Sequence, residues 1–377
     1  MKGTAEGDSQ ALPGLKKKRV LIVDDAVVVR RTLSDAVAAD PALEVAGTAS
    51  NGRLALAKFP SLKPDIILLD IEMPEMDGLE TVRELRKVDR HIPIIMFSTL
   101  TEHGASATLE ALSLGATDYV TKPSNTDMAG TFLKVTGELI PRIHALCRIP
   151  GALTPPALAP RAPRRDLAKA KLFLPAHIIA IGVSTGGPDA LARLLPSLQP
   201  NLSVPIVIAQ HMPALFTTML AARLSSKSPI PVSECKLGEP LQPGRIFLAP
   251  GDYHMVVNDE DGVIRLRTNQ GPKENFCRPS VDVLFRSVAQ VFGARALAVV
   301  LTGMGQDGLK GCEALQTAGA RIVVQDEASS VVWGMPGFVA RAGLADKILP
   351  LDQIGAEILR AAAGKPQENE LSLAAKL

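Results

Sequence analysis

Cysteine is scarce: Cys147, Cys235, Cys277 and Cys312 are the only four in 377 residues, and none pairs with another as C-x-x-C. Neither a structural zinc site nor a disulfide framework is expected from such spacing, and reduced thiols are the simpler reading. An excess of one charge is also missing. With 41 basic and 39 acidic side chains the formal net charge is +2, which gives no general pull toward nucleic acid or an anionic membrane. No apolar run approaches the roughly 18 residues that a spanning helix needs, and the first twenty residues lack the apolar core of a secretory signal. The expectation is a cytoplasmic protein that is not inserted in a membrane and binds no nucleic acid.

Apolar residues are plentiful, at 46%, and a chain of this length can build two domains, each with its own core. After the basic run Lys16, Lys17, Lys18, Arg19, short apolar strands alternate with helical patterns, the signature of a parallel sheet covered on both faces. Strands are expected at 20–23, 43–48, 66–69, 93–97 and 119–121, with helices at 28–39, 52–59, 78–88 and 104–114. This first domain is assigned to 19–146. Residues 147–174 change character, with Pro150, Pro155, Pro156, Pro160 and Pro163 set among alanines and basic residues. That composition reads as a solvated linker. A second alternating series occupies 175–362, with strands at 177–183, 205–210, 245–250, 296–302 and 321–325 and a hairpin at 254–257 and 263–267. Residues 363–377 read as a tail. The fold class is therefore α/β, two doubly wound parallel-sheet domains with an antiparallel hairpin in the second.

In the first domain, carboxylates fall at the carboxyl ends of expected parallel strands: Asp24 and Asp25 after the first, Asp70 after the third. Ligands bind at that edge of an open parallel sheet. Clustered carboxylates repel unless a cation neutralises them, and hard oxygen ligands suit Mg²⁺. Ser98 closes the fourth strand and Lys122 the fifth, so a hydroxyl and an ammonium are available for phosphoryl oxygens while one aspartate accepts the phosphoryl group. Such residues also cap strands and helices, but five at successive strand ends point to a site. Through LIVDD, DIILLDIEMPEMDG, PIIMFST and DYVTKP, the segment 19–146 resembles a response-regulator receiver domain of flavodoxin-like fold. The resemblance implies that Asp70 is phosphorylated and that Asp24, Asp25 and Asp70 hold Mg²⁺. It also implies that Ser98 and Lys122 sense the phosphate and that Tyr119 reports it by a rotamer change.

In the second domain, Gly182-Val183-Ser184-Thr185-Gly186 follows a buried strand and opens a helix, which satisfies G-x-S-x-G in its structural context. A glycine-rich phosphate-binding turn is the competing reading of that motif. Serine needs a base to remove its proton and an acid to orient that base. Of the histidines, His177 begins a strand and sits at the wrong edge, and His254 lies in the hairpin, whereas His211 ends the strand expected beside the serine strand. Asp307 and Asp326 both follow strands at the functional edge, and spacing does not separate them. Cys277 has no base assigned beside it and is set aside as a nucleophile.

The order Ser, His, Asp departs from the Ser, Asp, His order of lipase-like hydrolases. Instead, AIGVSTGGP, QHMP, APGDYH, RPSVDVLF, LTGMGQDG and GMP make the second domain similar to the catalytic domain of the chemotaxis protein-glutamate methylesterases. The resemblance implies Ser184 as nucleophile, His211 as base and Asp307 as orienting acid, with Thr185 and the Met304 N–H stabilising the oxyanion. The position of Val183 often holds a smaller residue in that family, a conservative departure. Together the likenesses imply a phosphorylation-activated serine hydrolase of glutamyl γ-methyl esters on methyl-accepting chemoreceptors. A chemotaxis histidine kinase would be the phosphodonor. Deamidation of receptor glutamines is implied as well, and the esterase reaction needs no cofactor. A DNA-binding regulator would share the receiver but carry a basic helix-turn-helix; a stand-alone small-molecule esterase would share the serine and need no receiver.

Overall fold

Four-residue apolar runs such as Val20-Leu21-Ile22-Val23 are buried along their whole length, as strands covered on both faces must be. The computed structural model describes residues 16–122, 128–150 and 174–363. Most of the expected linker, all but the first residue of the expected tail, and Pro123 lie outside the described residues. The described chain divides into two compact units.

The first unit is built on β1 (Lys18–Val23), β2 (Leu43–Ala49), β3 (Ile66–Asp70), β4 (Ile94–Ser98) and β5 (Asp118–Thr121). These form one parallel sheet in the order β2-β1-β3-β4-β5. In chain order α1 (Val27–Ala38), α2 (Gly52–Leu62), α3 (Gly78–Val88) and α5 (Met128–Leu146) connect or follow the strands, while α4 (Glu102–Ser113), which joins β4 to β5 along the chain, belongs to the second unit. Alternate strand residues Val20, Ile22, Ile66, Leu68, Ile95 and Phe97 face one core with Leu33, Val37, Leu139 and Ile143 from α1 and α5. Helix starts are fixed locally: Asn51 Oδ1 accepts from Leu54 N at 2.9 Å, and Asp77 Oδ1 from Glu80 N at 2.8 Å. Helix α2 runs three residues past its expected end, through Pro60. A proline near a helix end removes one intrahelical bond, and the helix stops only where Lys63 turns left-handed at φ 42°.

The second unit holds a seven-stranded parallel sheet. Its strands are β6 (Ile178–Val183), β7 (Ile206–Gln210), β8 (Val232–Glu234), β9 (Ile246–Leu248), β12 (Ala296–Val300), β13 (Arg321–Gln325) and β14 (Lys347–Leu349). Their order is β14-β13-β12-β6-β7-β9-β8. A separate antiparallel hairpin, β10 (His254–Glu260) with β11 (Val263–Asn269), is as expected in type and longer in extent. Six helices accompany them: α6 (Gly187–Leu194), α7 (Ala214–Ser225), α8 (Val281–Phe292), α9 (Leu309–Thr317), α10 (Met335–Arg341) and α11 (Leu351–Ala363). Strands β8 and β14 escape the sequence reading because three residues are too few to show a period. The core joins Met255, Val257 and Leu266 of the hairpin to Leu284, Phe285 and Val288 of α8. Each such fully buried side chain contributes roughly 1.5–3 kcal/mol.

Both sheets reverse their winding beside a central strand, between β1 and β3 in one and between β6 and β12 in the other. The crevice at the carboxyl ends of such strands is where this architecture places ligands.

Candidate functional site

In the first unit, Asp24 follows β1, Asp70 ends β3, Ser98 ends β4 and Lys122 follows β5. Parallel pairing brings these four chain positions to one edge. The Lys122 ammonium lies 2.8 Å from Asp70 Oδ2 and 3.0 Å from Asp24 Oδ2. Asp70 is buried, and that burial together with the neighbouring Asp24 raises its carboxyl to about 6 against the downward pull of Lys122. The Ser98 hydroxyl reaches the Thr99 carbonyl at 3.3 Å. Tyr119, on β5, is buried, and burial pushes its phenol upward. Carboxylate oxygens of Asp24, Asp25 and Asp70 lie within 4.8 Å of one another, two of the residues buried and Asp25 exposed. Three hard oxygen donors, two of them mutually repelling, fit a small divalent cation such as Mg²⁺ that keeps part of its water shell.

In the second unit, the strand register sets the geometry. Val183 of β6 is paired with Gln210 of β7, so Ser184 and His211 leave adjacent parallel strands side by side. His211 N donates to Val183 O at 3.2 Å, and Ser184 N donates to Thr302 O at 3.0 Å. Gln210, buried, ties the two exits together: its Nε2 donates to Ser184 O at 3.0 Å and to His211 O at 3.3 Å. The loop after β12 comes equally close. A Cβ on Gly303 would stand 2.8 Å from Ser184 Cβ, so space, rather than backbone conformation, demands glycine there. The turn after the serine needs φ +76° at Gly186, where a side chain would also strike Val331. Thr185 is buried with its carbonyl accepting from Thr302 Oγ1 at 2.9 Å, and Met304 follows Gly303 at the rim.

His211 Nε2 and Asp307 Oδ2 are 2.7 Å apart. Asp307 is 1% exposed and satisfied around both oxygens. Val281 N and Asp282 N at the start of α8 donate to it at 2.6 and 3.1 Å, Ser280 Oγ at 2.8 Å and Asn275 Nδ2 at 2.9 Å. A carboxylate at a helix N-terminus is favoured by the orphan N–H groups and the dipole. Burial would raise Asp307, but His211 and these donors outweigh it and hold the carboxyl well below its usual range. The neighbouring Asp282 is raised to about 6, by burial and then by the Asp307 charge.

The other sequence candidates lie elsewhere. Asp326 receives Ser329 N and Oγ at 3.0 and 2.6 Å. His254 sits between Pro272 O and Ser280 N, at 3.0 and 3.2 Å. His177 is exposed at the opposite end of β6.

One expectation is overturned. Cys277 does have a base beside it: its Sγ is 3.4 Å from His211 Nδ1. The thiol arrives on a tight turn in which Glu274 and Cys277 exchange backbone bonds of 3.2 and 2.8 Å. The two central residues, Asn275 and Phe276, have φ of 50° and 64°. Sequence spacing holds no trace of this approach, because 66 residues separate the thiol from the imidazole. Among the described residues the Ser184 hydroxyl makes no hydrogen bond to His211. Burial alone would lower His211, but Cys277 and then Asp307 pull it up to about 10. Asn275 went unseen in the sequence, since a lone Asn carries no periodic or motif signal of its own, and Gln210 and Ser280 stood inside QHMP and RPSVDVLF with no role assigned to them.

A family model described as "CheB methylesterase" matches residues 179–358, and one described as "Response regulator receiver domain" matches 20–130. A protein-glutamate methylesterase/protein-glutamine glutaminase of Trichodesmium erythraeum is 50% identical over 349 residues, 92% of this chain and 99% of that protein. One from a Nocardioides strain is 52% identical over 354 residues, 93% of this chain and 96% of that protein. Among solved structures, the Thermotoga maritima CheB methylesterase catalytic domain is 38% identical with a TM-score of 0.49, covering 50% of this chain and 99% of that one.

Proposed function

Since this chain belongs to the family of protein-glutamate methylesterases that carry a receiver domain, we propose that it hydrolyses glutamyl γ-methyl esters on methyl-accepting chemoreceptors and is activated by phosphorylation. The observation that carries the reading is the 2.7 Å His211–Asp307 pair beside the serine turn, at the crevice of a doubly wound sheet. With Nε2–H directed at Asp307, Nδ1 is the nitrogen that takes the Ser184 proton, once the Cys277 thiol has moved off it. Ser184 Oγ then attacks the ester carbonyl, and Thr185 and the Met304 N–H hold the negative oxygen. The proton returns to the leaving methoxide as methanol, and water cleaves the acyl-enzyme by the same route. Deamidation of a glutamine side chain follows the same path with ammonia as leaving group.

In the receiver, Asp70 takes the phosphoryl group from the phosphohistidine of a chemotaxis histidine kinase. Ser98 and Lys122 bind its oxygens and Tyr119 responds by changing rotamer. Asp24, Asp25 and Asp70 would hold Mg²⁺, which supplies charge neutralisation at the phosphoryl oxygens. The test is methanol release from a radiolabelled methylated receptor, with and without a phosphodonor. Absence of release by the wild-type chain under both conditions would overturn the proposal.

A further inference from the structure

The imidazole of His211 has two nitrogens with different neighbours. Nε2 faces Asp307 at 2.7 Å, and Nδ1 faces the Cys277 sulfur at 3.4 Å. A tetrahedral zinc ion with bonds of about 2.3 Å to sulfur and about 2.05 Å to nitrogen would separate those two donors by roughly 3.6 Å. The observed separation differs from that by only about 0.2 Å, so the two donors need little change in spacing to share one ion. The opposite face of the ring completes the pattern, because a metal-ligating histidine characteristically directs its other N–H at a carboxylate. Asp307 is that carboxylate, and its place on Nε2 makes it an outer partner rather than a ligand.

Two more features favour occupation. Cys277 is partly exposed, so an ion can reach it, and its thiol donates to the Asn275 carbonyl at 3.3 Å, which puts an oxygen beside the sulfur. The turn that carries the thiol is anchored to the same aspartate through Asn275 Nδ2, 2.9 Å from Asp307 Oδ1. Asp307 thus fixes both ligands relative to each other. Sulfur with imidazole selects zinc-class ions over Mg²⁺, which prefers oxygen.

We propose that His211 Nδ1 and Cys277 Sγ form a chelating site for a thiophilic divalent cation of the zinc class, and that its occupation reversibly switches the hydrolase off. Binding releases the thiol proton and the Nδ1 proton to solvent and replaces them with a sulfur–metal and a nitrogen–metal bond. No electron transfer is involved. Ser184 then has no base, because Nε2 is committed to Asp307. The switch rests on the assignment of His211 as the base, whereas the metal site itself does not.

The test uses the full chain with Mg²⁺ in excess, so that the receiver carboxylates are not available to the probe. Zn²⁺ should suppress methanol release from methylated receptor, and EGTA should restore it. In Cys277→Ala and Cys277→Ser, each compared with its own metal-free rate, the inhibitory midpoint should rise at least about tenfold, since a soft ligand is lost. Independently of activity, Co²⁺ added to the full-length Ser184→Ala protein should give a thiolate-to-cobalt near-ultraviolet band. Adding Cys277→Ala or Cys277→Ser to that protein should abolish the band. No band, or a band that survives both Cys277 changes, overturns the site. A Cys277-dependent band with undiminished wild-type hydrolysis overturns the switch. If the wild-type chain releases no methanol at all, the esterase reading fails while the cobalt titration still decides the site.

Discussion

The hydroxyl, imidazole and carboxylate at the mouth of the second sheet are held by different kinds of force, and their substitutions should fail differently. Ser184 lies on a turn and supports no core packing, so Ser184→Ala should abolish methanol release and leave the circular dichroism spectrum and Asp70 phosphorylation intact. Release within about tenfold of wild type would remove Ser184 from the nucleophile role. Asp307→Asn keeps the volume but favours the wrong imidazole tautomer, and in serine proteases the equivalent change costs about 10⁴-fold. A comparable loss is expected here from single-turnover measurement. Asp326→Asn, whose carboxylate serves Ser329, should be mild, and the reverse result would show that the wrong acid has been chosen.

The cysteines make a pH prediction at the same scale. Burial pushes the Cys147 and Cys235 thiols up to about 12 and raises Cys312 as well. Only the thiolate is nucleophilic, so those three thiols are protonated and slow to alkylate at pH 8. Cys277, partly exposed and beside the His211 imidazole, should take up iodoacetamide first in the native protein at pH 8. Mass spectrometric mapping that found Cys147 or Cys235 labelled first would contradict this.

Among the elements, the loop after β12 matters most, because it carries both Asp307 and the backbone that flanks Ser184. Gly303 accepts Gly334 N and Met335 N on its carbonyl, at 3.1 and 2.8 Å, and donates to Val332 O at 3.0 Å. Those bonds press the loop against the serine turn. Gly303→Ala has no left-handed strain to overcome, but its methyl would meet the Met335 sulfur and Ser184 Cβ. Relief requires the serine turn or α10 to shift, and misplacement of a reacting group by about 1 Å can cost about 10²-fold. The expected outcome is a fall of that order in kcat while the fold survives. Unchanged kcat would mean that the loop gives way without moving Ser184. Helix α8 is the second positioning element, since its first two N–H groups fix the Asp307 oxygens before the imidazole arrives.

On the scale of the whole chain, each unit has its own sheet, its own core and its own residues at the carboxyl edge. Chemistry at Asp70 reaches hydrolysis only if phosphorylation changes the relative stability of two states of the chain, because a switch acts through differential stability. Asp70→Asn should therefore take up no phosphoryl label with Mg²⁺ and phosphodonor, show no phosphodonor-dependent rise in methanol release, and keep its basal rate. Stable label in that variant would move the acceptor to Asp24, Asp25 or elsewhere. No described helix is long and apolar enough to cross a membrane.

Local sequence was enough for whatever is written in consecutive residues. Runs such as VLIV, IILL and IIAIGV are apolar on both alternate faces, as strands buried between two layers are, and Asp24, Asp70 and Ser184 stand where those runs stop, while Asp307 lies further along the loop after β12. The type and order of the long elements were legible for the same reason. Tertiary structure alone decided which loop meets which. The choice between Asp307 and Asp326 as partner of His211 could not be read from spacing; it depends on β12 lying next to β6 while β13 lies one strand further out. Likewise Cys277 reaches His211, and Gln210 ties Ser184 to His211, through parallel registers and a turn that no periodic pattern announces. Short strands such as β8 and β14 exist because neighbours supply their hydrogen bonds, and three residues carry too little side-chain pattern to declare that in advance.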